Sequence, residues 1–186
     1  MRAENRLTAA AASGAVQIRS AEPSDLEPIV SLHVAAWRAT YRDLAPTDAY
    51  RRLDEAARRP RCMAALQGGS IRVATADDRI IGFVQVGPPS EAVFEGRGEI
   101  KHLYVDAAWA RRGVGGRLLA EGRHLLHERG YPRAALGVVV GNEPAIRFYE
   151  AAGGRVVGHY RDPGPIWRSD NIVFAWDGDG RMDPNG

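Results

Sequence analysis

Cysteine is almost missing from this 186-residue chain, and Cys62 stands alone. That excludes an intrachain disulfide and a thiolate metal cluster, and it fits a reducing cytoplasm. Lysine is as scarce: of 25 basic residues Lys101 is the one lysine, beside 24 arginines (25 less one). An excess of one charge is also missing, because 25 basic against 23 acidic residues leave a formal +2. So small a surplus does not draw a whole protein to nucleic acid or to a membrane. No segment approaches the length and apolarity of a membrane span. The five histidines show no zinc-type spacing with cysteines or acids, so no metal is expected, and His124 and His127 read as an exposed helix face.

What is present suits one globular domain with a real core: 45% hydrophobic and 26% charged residues, without repeats or a splitting linker. Residues 1–15, alanine-rich and broken by Thr8, Ser13 and Gly14, read as a disordered leader. Residues 177–186, polar and glycine-rich, read as a flexible tail, which leaves 16–176 as the domain. Hydrophobic periodicity gives a strand at 16–20 and a helix opened by the Ser24 to Glu27 capping-box spacing. A second helix is expected from Pro46 to about Cys62, its arginines 51, 52, 58 and 59 forming a solvated face. A hairpin at 71–86, a strand at 99–105, a helix to about Arg129, a buried strand at 135–140, a short helix at 142–152 and two closing strands follow.

The run from Ala110 to Leu119 carries the strongest local signal. A strand feeds Arg111-Arg112-Gly113-Val114-Gly115-Gly116, and a helix pattern begins at once. Glycines there expose N–H groups that a helix N-terminus aims at an anion, and guanidinium pairs well with phosphate. The bland alternative is a tight connection with solvated arginines. The spacing matches neither the dinucleotide fingerprint nor the P-loop, and the hairpins before it exclude a Rossmann unit. In the preceding strand the apolar residues fall at 100, then 103 and 105, so the alternation changes parity. A β-bulge near 101–103 explains the switch and makes room between strands.

This order of elements and these motifs resemble the GNAT superfamily of acetyl-CoA-dependent N-acetyltransferases over residues 16–176. Residues 100–105 followed by 111–115 are similar to its central strand and pyrophosphate loop. Asn142, Ala145 and Phe148-Tyr149-Glu150 look like its second hallmark, and His33 to Tyr41 resembles the front half of a bacterial small-molecule subgroup. The resemblance implies a mixed α/β (α+β) fold: a mostly antiparallel central sheet, a splayed strand pair that binds acetyl-CoA, and about four flanking helices. Two positions depart from the pattern. Ala110 stands where a Gln or Arg is usual, and Gly153-Gly154 replaces a Gly-aromatic pair, which predicts looser packing under the last helix.

The reaction implied is transfer of an acetyl group from acetyl-CoA to a primary amine by direct attack on the thioester. An alkylamine with pKa near 10 is protonated at pH 7, and removing that proton costs about 4 kcal/mol. The resemblance makes Glu99 the candidate base, against a plain strand-end ion pair; Lys101, two residues on, is placed to hold it ionised. Backbone donors around Leu103, Tyr104 and Val105 are candidates for the oxyanion. Tyr149 resembles the family's general acid. Asn142 is expected to hold the pantetheine arm, with helix N-capping as its rival role. The cofactor set thus comprises residues 103–105, Arg111, Arg112, Gly113, Val114, Gly115, Gly116, Asn142, Ala145 and Tyr149. Trp37, Tyr41, Glu99 and Trp167 are the candidate acceptor walls, and they favour an enclosed pocket. A small-molecule amine is the expected partner, with neither nucleic acid nor membrane, and a homodimer is compatible with the resemblance. A protein N-terminus or lysine as acceptor, or a non-catalytic acyl-CoA-binding module, are the alternatives.

Overall fold

The computed structural model describes residues 14–177. The leader and tail expected at 1–15 and 177–186 therefore lie outside the described residues, apart from Gly14, Ala15 and Asp177. The chain runs β1 (Gln17–Ser20), α1 (Leu26–Thr40), α2 (Thr47–Arg52), α3 (Glu55–Gln67), β2 (Ile71–Ala76), β3 (Arg79–Gly87) and β4 (Gly98–Val105). It continues through α4 (Val114–Glu128), β5 (Ala134–Val139), α5 (Glu143–Ala151), β6 (Arg155–Arg161) and β7 (Asp170–Trp176).

The helix expected from Pro46 to Cys62 is two helices. Leu53 turns extended (φ −104°, ψ 100°) and buries itself completely beside Trp37 and Ala49. Asp54 then caps α3 by accepting a hydrogen bond from Ala57 N at 2.7 Å. A buried leucine and a capping aspartate thus outweigh the helix propensity around them. The capping box from Ser24 to Glu27 gives way in the same manner. Asp25 accepts Glu22 N at 2.7 Å and both Arg19 guanidinium nitrogens at 2.6 and 2.9 Å, so a single turn of tighter helix (Pro23–Asp25) precedes α1. The Arg19 partner also holds the Asp25 carboxyl below its usual range.

The strands form one sheet in the order β1-β2-β3-β4-β5-β7-β6. Every neighbouring pair is antiparallel except β4 and β5, which pair in parallel at Gly98↔Ala134 and Glu99↔Ala135 alone. From there β5 stays bonded to β7 while β4 continues beside β3, so the sheet opens into a V. The bulge expected near 101–103 falls at Lys101: Gln85 faces His102 and Val86 faces Ile100, with nothing opposite Lys101. Helix α4 packs on one face, where Leu118, Leu125 and Leu126 meet Val84, Val86 and Ile100. Helices α1 and α3 cover the other, where Ile29, Val30, Cys62 and Ala65 meet Ile71, Val73 and Phe83.

Packing under α5 is not loose. A Cβ on Gly154 would stand 2.8 Å from Trp176 Cζ2 and 3.2 Å from Phe174 Cδ1. Trp176 from β7 occupies the space that an aromatic after Gly153 would take, and its Nε1 donates to Ala152 O at 2.9 Å. Asp177 is tied to the loop before β4 by Arg97, at 2.7 and 2.9 Å.

Candidate active site

The V between β4 and β5 is the mouth of a cleft of about 990 Å3. Its floor is set by local backbone chemistry. After β4, Asp106 caps one turn at residues 107–109 by accepting Ala108 N at 2.8 Å. Arg111 (φ 59°) and Gly113 (φ 79°) are both left-handed, and that turns the chain abruptly into α4. Arg117 N is bonded to Gly113 O, so the amides of Val114, Gly115 and Gly116 have no carbonyl one turn earlier and point outward along the helix axis. A Cβ on Gly113 or Gly116 would meet nothing within 4 Å, which leaves those amides open to a large anion.

The structure places the expected cofactor residues unequally. Arg111, Gly113, Gly115, Gly116, Leu103, Tyr104, Val105, Asn142, Ala145 and Tyr149 line the cleft. Arg112 instead stacks over the Trp109 ring at 5.2 Å, and Val114 turns into the core with Leu118, so it offers the cleft its backbone. Asn142 takes both expected positions: it lines the cleft and caps α5, its Oδ1 lying 3.4 Å from Ala145 N. Tyr149 is held between the rings of Phe148 (4.9 Å), Phe174 and Trp176 (both 6.0 Å). Burial, with Tyr41 nearby, pushes its phenol well above the usual range, so it keeps its proton at neutral pH.

A second cavity of about 440 Å3 lies on the α1–α3 side and adjoins the cleft at Tyr41, Lys101, His102, Tyr104 and Gly137, which line both. Trp37, Tyr41, Glu99 and Trp167 are all in its wall. Tyr41 lies 5.1 Å from Trp37 and 5.9 Å from Trp167, ring to ring, and burial pushes its phenol above the usual range. Glu99 is buried, and three donors converge on its Oε2: Ser90 N (2.8 Å), Ser90 Oγ (2.7 Å) and Lys101 Nζ (2.5 Å). Oε1 takes no hydrogen bond from the described residues, so one oxygen is fixed and the other remains an acceptor.

Sequence reasoning passed over several lining groups. His33 and His102 sit ring to ring at 4.4 Å, and both face this cavity. Burial lowers His33 to about 3 and holds His102 well below its ordinary value, so both imidazoles are neutral at pH 7. Arg58, read as one of a solvated run, lines the cavity with Arg61, Tyr160 and Asp162. The bulge is legible in the strand's spacing, but the packing of α3 on α1, which sets the way Arg58 and His33 face, is not.

A strand pair that parts over a glycine-rich helix start is the geometry of an acyl-CoA cleft, and its open amides and unpaired β4 edge fit a pyrophosphate and an extended amide-bearing arm. Comparison with known proteins agrees. The family model described as "Acetyltransferase (GNAT) family" matches residues 27–154, and the chain belongs to that family. It is an acetyl-CoA-dependent N-acetyltransferase. It is 28% identical over 136 residues to the uncharacterized N-acetyltransferase YuaI of Bacillus subtilis (strain 168), covering 73% of this chain and 78% of that one. Its fold resembles the PaiA N-acetyltransferase of Thermoplasma acidophilum, solved with coenzyme A: TM-score 0.66, 18% identity, 87% and 98% of the two chains covered. It also resembles the ribosomal-protein-alanine N-acetyltransferase of Brucella melitensis, with TM-score 0.67, 22% identity and 86% and 98% covered.

Two outcomes are expected from this geometry. Gly116→Glu places a carboxylate at the open start of α4 without a steric clash, so it should keep the melting temperature and weaken coenzyme A binding by about ten-fold or more, read by calorimetry. For His33, an unfolded chain takes up a proton below about pH 6.5 that the folded chain refuses until about pH 3. Stability therefore falls as pH drops through that window, by about 2 kcal/mol at pH 5 from this group. Urea unfolding at pH 7 and pH 5 should show that His33→Leu loses about 2 kcal/mol less over the interval.

Proposed function

We propose that this acetyltransferase acetylates the primary amine of a small molecule, by direct attack of the amine on the thioester. The observation that carries this reading is the second cavity, which adjoins the cleft at the bulge and is walled by side chains. Its 440 Å3 lies in the range that holds a small ligand. The segment from Asp162 to Trp167 lies across it, pinned by Asp162 N to Ser169 O at 2.9 Å and by Arg52 Nη1 to Pro165 O at 3.3 Å. An extended peptide needs a long open groove, whereas this segment forms part of the wall of a small cavity.

Acetyl-CoA, when bound, supplies the activated acetyl group; residues 111 and 113–116 hold its phosphates, and Asn142 with the β4 edge orients its arm. The chain's own groups then manage protons and charge. Glu99 Oε1 accepts the proton that the ammonium must lose, while Lys101 and Ser90 keep Oε2 in place. The backbone N–H groups of Leu103 and Val105, on the edge of β4 turned away from β3, face developing negative charge on the carbonyl oxygen. Tyr149, protonated and desolvated, gives its phenolic proton to the departing thiolate. Trp37, Tyr41 and Trp167 enclose the acceptor and exclude water.

Release of the coenzyme A thiol in the presence of acetyl-CoA tests this directly, with a panel of small amines set against peptides with free N-termini. Turnover of small amines is expected, and Tyr149→Phe should lower kcat by about ten-fold or more while acetyl-CoA binding is unchanged. Turnover of peptides alone overturns the acceptor assignment. Unaltered slow hydrolysis in Tyr149→Phe removes the acid, and no turnover with any amine points to a binding module.

A further inference from the structure

We infer that the acceptor amine carries an acidic group as well, a carboxylate or a phosphonate, and that Arg58 binds it from the wall of the second cavity. This rests on the small-molecule reading above and narrows it to amino acids and their phosphonate counterparts. The arginines around α3 make the case by contrast. Arg59 forks onto Glu27 with hydrogen bonds of 2.8 and 2.7 Å, and Arg52 reaches Asp48 at 3.1 Å. Arg58, between them in sequence, turns the other way, into the cavity. Its Nε is buried with no hydrogen-bond partner, and no carboxylate lies within ion-pair distance of the guanidinium among the described residues.

The neighbouring groups do not satisfy it. The charges that act on Arg58 are those of Arg61, three residues on, and Asp162, with the Tyr104 phenol beside it. Asp162 is itself engaged, its Oδ1 accepting Gly164 N at 2.7 Å. Glu99 is tied to Lys101 and Ser90. Glu91, the other acid of the cavity, makes no ion pair with either arginine. His33 and His102 are neutral and donate no competing charge. Burial and Arg61 pull the Arg58 guanidinium below its usual range, yet a guanidinium remains a cation at neutral pH. A guanidinium whose Nε is buried without a partner is costly, and a planar or tetrahedral oxyanion satisfies it bidentately.

The same cavity therefore offers a proton acceptor for an ammonium at Glu99, a cation for an acid at Arg58, and an aromatic wall of Trp37, Tyr41 and Trp167 between the lining elements. An amine, an oxyanion and an apolar body on one small skeleton describe an amino acid.

Matched pairs that differ by the acid alone test this, read as kcat/KM for coenzyme A thiol release. Suitable pairs are L-phenylalanine with phenethylamine, L-tryptophan with tryptamine, L-leucine with isopentylamine, and each amino acid with its 1-aminoalkylphosphonate. The acidic members are expected to lead their plain amines by about ten-fold or more. The carboxylate and phosphonate arms decide between the two acids. Arg58→Met should erase that lead through KM, leaving plain amines and the acetyl-CoA Kd unchanged, and Arg58→Lys should restore part of it. Equal or better turnover of the plain amines by the unaltered enzyme overturns the inference alone, whatever the variants do. So does a lead that survives Arg58→Met. No thiol release from any member, with release from peptides, overturns the small-molecule reading and this inference with it.

Discussion

Strands β4 and β5 share two paired residues, Gly98↔Ala134 and Glu99↔Ala135, and then part. A parallel pair that stops so early leaves one edge of each strand without its sheet partner in the middle of the domain. Such edges are tolerable when something polar and extended takes the vacated hydrogen bonds. The rest of the protein is arranged around this opening. Helix α4 brings its first amides to one end of it, α5 brings Tyr149 and Asn142 along its β5 side, and α1 ends at Tyr41 where the two cavities meet. The bulge at Lys101 lets one strand serve both spaces, because it shifts the side-chain alternation at that point.

Charge is distributed with the same economy. The cleft attracts anions through backbone amides and one left-handed arginine, Arg111, so no cluster of buried cations is needed there. The second cavity carries its charge in tied or directed form. Glu99 is clamped on one oxygen by the chain's one lysine, and the two histidines are kept neutral by burial. Against that quiet background the Arg58 guanidinium, Glu99 Oε1 and the neutral His33 Nε2 are among the lining groups with unused hydrogen-bonding capacity, and of these Arg58 carries a positive charge. This is how a small cavity discriminates, since a ligand that fails to meet such a group leaves it desolvated and unpaired.

How much of this the sequence discloses depends on how local the cause is. The glycine turn and the start of α4 are legible, since left-handed backbone and exposed amides follow from residues 111–116 themselves. The parity change at 100, 103 and 105 likewise discloses the bulge, because strand alternation leaves no other simple account of it. The division of the second helix is harder to see. It needs the knowledge that Leu53 has a hole to fill beside Trp37, after which Asp54 becomes a cap. Arg58 and Arg59 look alike in sequence; one faces Glu27 and the other the cavity, and only the docking of α3 on α1 separates them. His33 and His102 are 69 residues apart in the chain (102 less 33), and the pairing of β3 with β4 under α1 brings their rings together. Gly154 shows the same limit: the aromatic that its neighbourhood lacks arrives from Trp176 on β7.

The central claim is that the opening between β4 and β5 holds acetyl-CoA through backbone amides. Amide hydrogen exchange with and without coenzyme A addresses it residue by residue. The account predicts slowed exchange at Leu103 and Val105 on the open edge of β4 and at 113–116 at the head of α4, with β1 and β6 at the sheet edges unaffected. Tight binding without protection at either segment, or with protection confined to the edges, would contradict it.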